Sequence, residues 1–179
     1  EDVAVLFLDV DGDKDQDLYV VSGGYNDYEP GSKALKDRIY INDGQGRFTL
    51  ATGGLPDMLP SKSCVAATDF DQDGDIDLFV GGRVVPGNYP VTPESYLLGN
   101  NNGRFENITS SIAADLASIG MVSDAKWLDI NSDGWKDLVV IGEFMPVEVF
   151  INKQGKTLKR STREFFDNEL TGLWTKMIV

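Results

Sequence analysis

The residues best suited to chemistry are acidic and evenly placed. Three segments, DVDGDKDQDL from Asp9, DFDQDGDIDL from Asp69 and DINSDGWKDL from Asp129, start 60 residues apart both times. Each puts acid or Asn at relative positions 1, 3, 5 and 9, and Leu at position 10. Carboxylates packed this densely repel one another unless a cation sits among them, and an all-oxygen cluster suits a hard divalent ion. Calcium takes six to eight oxygens at about 2.3–2.6 Å and tolerates loose geometry, whereas magnesium prefers rigid octahedral sites that keep several waters. Calcium is therefore the expected cofactor, up to three ions in all.

On this reading, side chains at positions 1, 3, 5 and 9 bind the ion and position 7 offers its carbonyl. The first set is Asp9, Asp11, Asp13 and Asp17 with the carbonyl of Asp15. The second is Asp69, Asp71, Asp73 and Asp77 with that of Asp75, and the third is Asp129, Asn131, Asp133 and Asp137 with that of Trp135. An EF-hand loop also begins DxDxDG, but its twelfth residue is a bidentate Glu, and here that position holds Val20, Val80 and Val140. Plain acidic surface turns are the bland alternative, and three copies in register argue against it. The loops are not equivalent. Loops two and three carry Gly74 and Gly134 at position 6, where loop one has Lys14. A left-handed conformation at Lys14 costs on the order of 1 kcal/mol, so the first loop is expected to bind more weakly or to adopt a shifted turn. Asn131 removes one ligand charge from the third, which makes the second the expected tightest site.

The elements that position these loops are short apolar runs bounded by Gly and Asp, which read as strands. Val3 to Leu8, Cys64 to Ala67 and Ala125 to Leu128 precede the acidic segments; Leu18 to Val21, Leu78 to Val80 and Leu138 to Ile141 follow them. A second strand pair joined by an Asn/Gly-rich turn comes later in each unit: RIYINDGQGRFTL from Arg38, SYLLGNNNGRFEN from Ser95 and VEVFINKQGKTLK from Val147. A short helical pattern is expected near Ser110 to Ser118. Four strands in about 60 residues predict an all-β chain of three consecutive four-stranded β-propeller blades, over residues 1–60, 61–120 and 121–171. The run 172–179 aligns with Gly120 to Trp127 and reads as the first strand of a fourth, incomplete blade. Three blades are fewer than a closed propeller needs, so the rest of a larger chain, or an assembly of chains, is expected to complete it.

Composition removes several function classes. The 179 residues hold 29 Asp plus Glu, 16 Lys plus Arg and no His, a net charge of -13. Without imidazole there is no Ser-His-Asp or Cys-His catalysis and no HExxH zinc site. The negative charge argues against nucleic-acid partners. No run approaches the roughly 20 apolar residues needed to span a bilayer, so no direct membrane insertion is expected. The lone Cys64 reads as a small buried side chain rather than a nucleophile.

With these motifs in view, the sequence resembles the FG-GAP or VCBS repeat family, the calcium-binding blades also found in integrin alpha-subunit propellers. Asp69 to Leu78 matches the motif DxDxDGxxDL, Asp129 to Leu138 matches it with Asn at position 3, and Asp9 to Leu18 matches except at Lys14. LYVVSGG, DRIYINDGQGRF, DLFVGGRVVPGNYP and LVVIGEFMPVEVF are similar, more narrowly, to blades of bacterial surface or secreted proteins with an ASPIC/UnbV module. The resemblance implies a seven-bladed propeller, about three blades of which lie here, in an extracellular or cell-surface protein.

The leading functional expectation is a calcium-stabilised, non-enzymatic scaffold for adhesion or protein–protein interaction at the cell surface. A lectin-like alternative rests on Tyr25, Tyr28, Tyr89 and Tyr96, aromatic faces among polar groups in or beside the connectors YNDYEPGSKALK and RVVPGNYPVTPESY. A further alternative is the propeller part of a polysaccharide-degrading enzyme, an activity that related propellers host. Carboxylates held as calcium ligands stay ionised and are poor proton donors, so no catalytic residue is assigned.

Overall fold

The structure, a computed structural model, describes residues 1–25, 28–167 and 171–178. The first sheet contains β1 (Asp2–Leu8), β2 (Asp17–Ser22), β3 (Arg38–Asn42) and β4 (Phe48–Leu50). The second contains β5 (Ser61–Thr68), β6 (Asp77–Val84), β7 (Tyr96–Asn101) and β8 (Arg104–Asn107). The third is built from β9 (Met121–Leu128), β10 (Asp137–Pro146), β11 (Glu148–Asn152) and β12 (Leu158–Arg160), joined by the short β13 (Thr171–Leu173). All pairings are antiparallel between neighbours in sequence, apart from β13, which pairs with β10. These are three blades of the expected kind, and they do not close into a ring.

The repeat is carried in the register itself. Val5 faces Val20, Val65 faces Val80 and Ala125 faces Val140, each pair 60 residues beyond the last. Leu8, Thr68 and Leu128 likewise face Asp17, Asp77 and Asp137, so each acidic loop closes at the same rung. Alternation of side chains across a strand gives every blade two apolar faces, and burial comes from stacking blade on blade. Leu8, Val10, Tyr19 and Val21 pack with Leu78, Val80, Leu98 and Phe105 between the first two sheets. Cys64, Phe70, Phe79 and Leu97 pack with Ala125, Leu138, Val140 and Phe150 between the second and third. Burial pushes the Cys64 thiol up to about 12, consistent with an inert core residue.

The helical pattern expected near Ser110 appears as two turns, Thr109–Ile112 and Ala114–Leu116. Of the run 172–179, Val179 lies outside the described residues. Trp174 stands to the third blade as Val122 stands to the second: Ser63 Oγ donates to the Val122 carbonyl at 2.7 Å, and Ser123 Oγ donates to the Trp174 carbonyl.

One face remains uncovered. Val3, Val5, Phe7, Phe48 and Leu50 of the first blade are all exposed, with the Phe7 and Phe48 rings edge to face. Their counterparts 60 and 120 residues on include Val65, Ala67, Ala125 and Trp127, which pack against the preceding blade.

Candidate metal centre

Each acidic loop is a turn organised by its own carboxylates. The first Asp of each loop gathers backbone N–H groups: Asp69 accepts from Asp73 and Gly74 at 3.1 Å each, and Asp129 from Asp133 at 3.0 Å and Gly134 at 2.9 Å. Asp9 accepts from Gly12 at 2.8 Å and Lys14 at 2.9 Å. Position 5 accepts from the N–H of position 7 in all three, through Asp13, Asp73 and Asp133. Such Asx turns hold the backbone in place for a left-handed step.

Left-handed steps occur at two positions per loop, where the sequence pointed to one. Position 4 has φ of 82° at Gly12, 63° at Gln72 and 61° at Ser132; position 6 has 76° at Lys14, 103° at Gly74 and 89° at Gly134. Every loop thus has one glycine and one strained side chain, and loop one exchanges their places. Lys14 does not make the first loop uniquely strained, because Gln72 and Ser132 bear a similar cost elsewhere. The shift of turn is confined to one donor, Gly12 in place of the position 5 N–H.

Position 9 is the buried anchor. Asp17, Asp77 and Asp137 are essentially inaccessible. One oxygen of each accepts the N–H of position 2 (Val10, Phe70, Ile130) at 2.8, 3.1 and 3.0 Å. The other accepts from Asn42, Asn100 and Asn152 at the end of the third strand, at 2.8, 2.9 and 2.8 Å. Sequence reasoning missed these asparagines. The available signal was an Asn three or four residues before a hairpin Gly, in INDGQG, NNNG and NKQG.

These anchors also join neighbouring blades. Asn100 Nδ2 donates to the Val10 carbonyl at 2.9 Å, and Asn152 Nδ2 to the Phe70 carbonyl at 2.7 Å. Asn42 donates within its own blade, to Gln16. The hairpin tips follow: a methyl group on Gly155 would lie 2.6 Å from the Asp71 Cα.

Carboxylate oxygens of Asp9, Asp11 and Asp17 lie within 4.8 Å of one another, as do those of Asp69, Asp71 and Asp77. Positions 1, 3 and 9 are therefore brought together, while position 5 leans back onto the turn. The position 7 side chains do other work: Asp75 Oδ2 accepts the Asn102 N–H of the hairpin at 2.9 Å, and Asp15 Oδ1 is buried with no hydrogen-bond partner among the described residues. In the third loop Asn131 donates to Asp133 Oδ2 at 2.9 Å, so its amide already offsets part of the repulsion.

The electrostatics favour a bound cation. Desolvation, followed by the charge of Asp13 and Asp17, raises Asp11 above the usual carboxylate range; desolvation and Asp73 do the same for Asp71. Burial, opposed by the N–H groups of Asn100 and Phe70 and reinforced by Asp71 and Asp73, brings Asp77 to about 7. An all-oxygen set of converging, mutually repelling carboxylates fits a hard divalent ion, which would relieve each of these shifts.

The tyrosines separate. Tyr25 and Tyr89 line one cavity of about 700 Å³ at the opposite end of the strands. Tyr28 accepts from the N-terminal amine, and Tyr96 is buried with its hydroxyl donating to Glu94 at 2.8 Å. No helix among the described residues is long and apolar enough to cross a membrane.

Among known families, the model of the FG-GAP-like repeat matches residues 9–80, from the first acidic loop through the second and into β6. The match does not bear on the narrower resemblance to proteins with an ASPIC/UnbV module. No curated protein matches the chain.

Proposed function

From the match of residues 9–80 to the FG-GAP-like repeat we propose that the chain is a calcium-stabilised, non-enzymatic propeller scaffold acting outside the cell in adhesion or protein–protein interaction. One observation carries the calcium part: in two loops three carboxylates converge to within 4.8 Å, one of them buried and anchored between strands. The third loop repeats the framework with Asn131 in place of Asp and is the weaker third site. The ion's work is structural. It cancels repulsion among Asp9, Asp11 and Asp17, and among Asp69, Asp71 and Asp77, and so holds the turn between the first two strands of a blade. The loops suit calcium near millimolar levels, as found outside cells.

The protein partner is another blade. The exposed face of Val3, Val5, Phe7, Phe48 and Leu50 corresponds to surfaces that units two and three bury against the preceding unit. More of the same chain, or an assembly of chains, covers it.

Calorimetric titration of the chelator-stripped protein with calcium tests the reading. Two tighter sites and one weaker site are expected, with magnesium binding less well. No binding up to millimolar calcium would exclude it.

A further inference from the structure

The cavity at the other end of the sheets is a second site. It is lined by all three blades: Val3 and Tyr25 from the first, Arg83, Val84 and Tyr89 from the second, and Glu143 from the third. Arg83 lies six residues along β6 from Asp77, which places it roughly 20 Å from the acidic loops. Nothing in the calcium reading uses it.

Its groups are arranged for a ligand that is neither purely apolar nor charged. Tyr25 and Tyr89 are each a little under half exposed, and neither hydroxyl has a hydrogen-bond partner among the described residues. The Tyr89 ring is held edge to face against Phe144, with centroids 6.5 Å apart. Phe144 itself is 63% exposed with a φ of 56°, a strained and solvent-facing position for an aromatic residue. In the same lining as Tyr25 and Tyr89, Arg83 and Glu143 form an ion pair at 2.6 Å across the blade boundary. A guanidinium has five N–H donors and a carboxylate about four acceptor sites, so this pair retains unused donors and acceptors side by side.

We infer that this cavity binds a neutral saccharide, in contact with both the Tyr25 and Tyr89 rings and with adjacent hydroxyls bridging Arg83 and Glu143. A sugar ring offers an apolar C–H face and hydroxyls that both donate and accept, which matches aromatic walls around an ion pair. An anion on the spare Arg83 donors would be repelled by Glu143 and by Glu1, which also lines the cavity, and a cation drawn to Glu143 would meet the Arg83 guanidinium. A neutral polyol satisfies both without separating them.

The test is an amide-resolved NMR titration of the calcium-loaded protein with methyl glucoside, methyl galactoside and N-acetylglucosamine, up to tens of millimolar. Expected are saturable shifts at Tyr25, Arg83, Val84 and Tyr89 with none in the acidic loops. Tyr25→Ala, Tyr89→Ala and Arg83→Gln should each weaken binding by about tenfold, equivalent to about 1.4 kcal/mol. Absence of localised shifts in the wild-type protein with every sugar would overturn the inference, and so would shifts unchanged in all three variants. Tighter binding of glucuronate than of the neutral sugars would overturn it too. Because the loops are read in the same spectra through calcium addition, failure here is distinguishable from failure of the calcium reading.

Discussion

Asn152 Nδ2 of the third blade donates to the Phe70 carbonyl of the second at 2.7 Å. The Phe70 N–H donates to Asp77, Asp77 accepts from Asn100, and Asn100 reaches the Val10 carbonyl of the first blade. One unbroken line of buried hydrogen bonds thus links the anchor carboxylates of all three loops. A cation held in one loop would therefore act on the peptide from which the next blade is hung.

Asn152→Ala and Asn100→Ala should therefore be costly. Each leaves a neighbouring blade's carbonyl without its donor, and unsatisfied buried polar groups cost about 1–3 kcal/mol apiece. A loss of about 2–3 kcal/mol in urea unfolding is expected for either, against about 1 kcal/mol or less for Asn42→Ala, which bonds only within its own blade. Equal losses at all three positions would argue against an inter-blade role.

Glycine substitutions should separate strain from contact. At Gly74, φ is 103° and a Cβ would meet nothing, so Gly74→Ala should cost about 1 kcal/mol. At Gly155 the added methyl also meets the Asp71 backbone, and a cost of about 2–4 kcal/mol is expected by thermal or urea unfolding. Conversely, Lys14→Gly should stabilise the chain by about 0.5–1 kcal/mol, because it relieves a left-handed lysine.

Lys62 and Asp37 form a fully buried pair at 3.2 Å, with Tyr19 Oη and the Ser22 N–H also donating to Asp37, and Lys62 donating to the Met58 and Pro60 carbonyls. Burial pulls both toward neutrality, Asp37 upward and Lys62 downward, while each opposes the other's discharge. Lys62→Met removes one partner and strands the other, so a loss of about 3–5 kcal/mol is expected. A loss below 1 kcal/mol would show that the pair is not charged in the folded protein.

The pH dependence follows from Asp77, brought to about 7 when no ion is bound. The ion-free folded state then holds a proton that the unfolded chain has released, and its stability should fall as pH rises from about 4 through 7. Calcium needs the ionised carboxylate, so its affinity at the second loop should rise over the upper part of the same interval. Titrations at pH 6 and pH 8 measure this; an affinity independent of pH would count against Asp77 as a ligand.

Much of this was legible in the sequence, and the remainder was not for physical reasons. The 60-residue spacing of Asp9, Asp69 and Asp129 foretold the register of β1–β2, β5–β6 and β9–β10, because alternation and turn chemistry are local. The asparagine anchors were hidden because the connectors before them differ in length. Asn42, Asn100 and Asn152 follow their Asp partners by 25, 23 and 15 residues, so no fixed spacing marks them. The strain at Gln72 and Ser132 was invisible because neither residue type announces a left-handed backbone. Tyr25 and Tyr89 looked equivalent to Tyr28 and Tyr96 until packing took the latter two out of the cavity.

The most direct test of the calcium-stabilised scaffold is thermal unfolding with excess calcium and with chelator, for the wild-type chain and for Asp71→Asn. An ion that binds only the folded state at a hundredfold excess over its Kd adds about 2.7 kcal/mol per site, or roughly 5–10 °C for a chain of this size. A calcium-dependent rise of at least that amount is expected in the wild type, reduced by about one site's share in Asp71→Asn. An unfolding temperature unchanged by chelation in both proteins would contradict it.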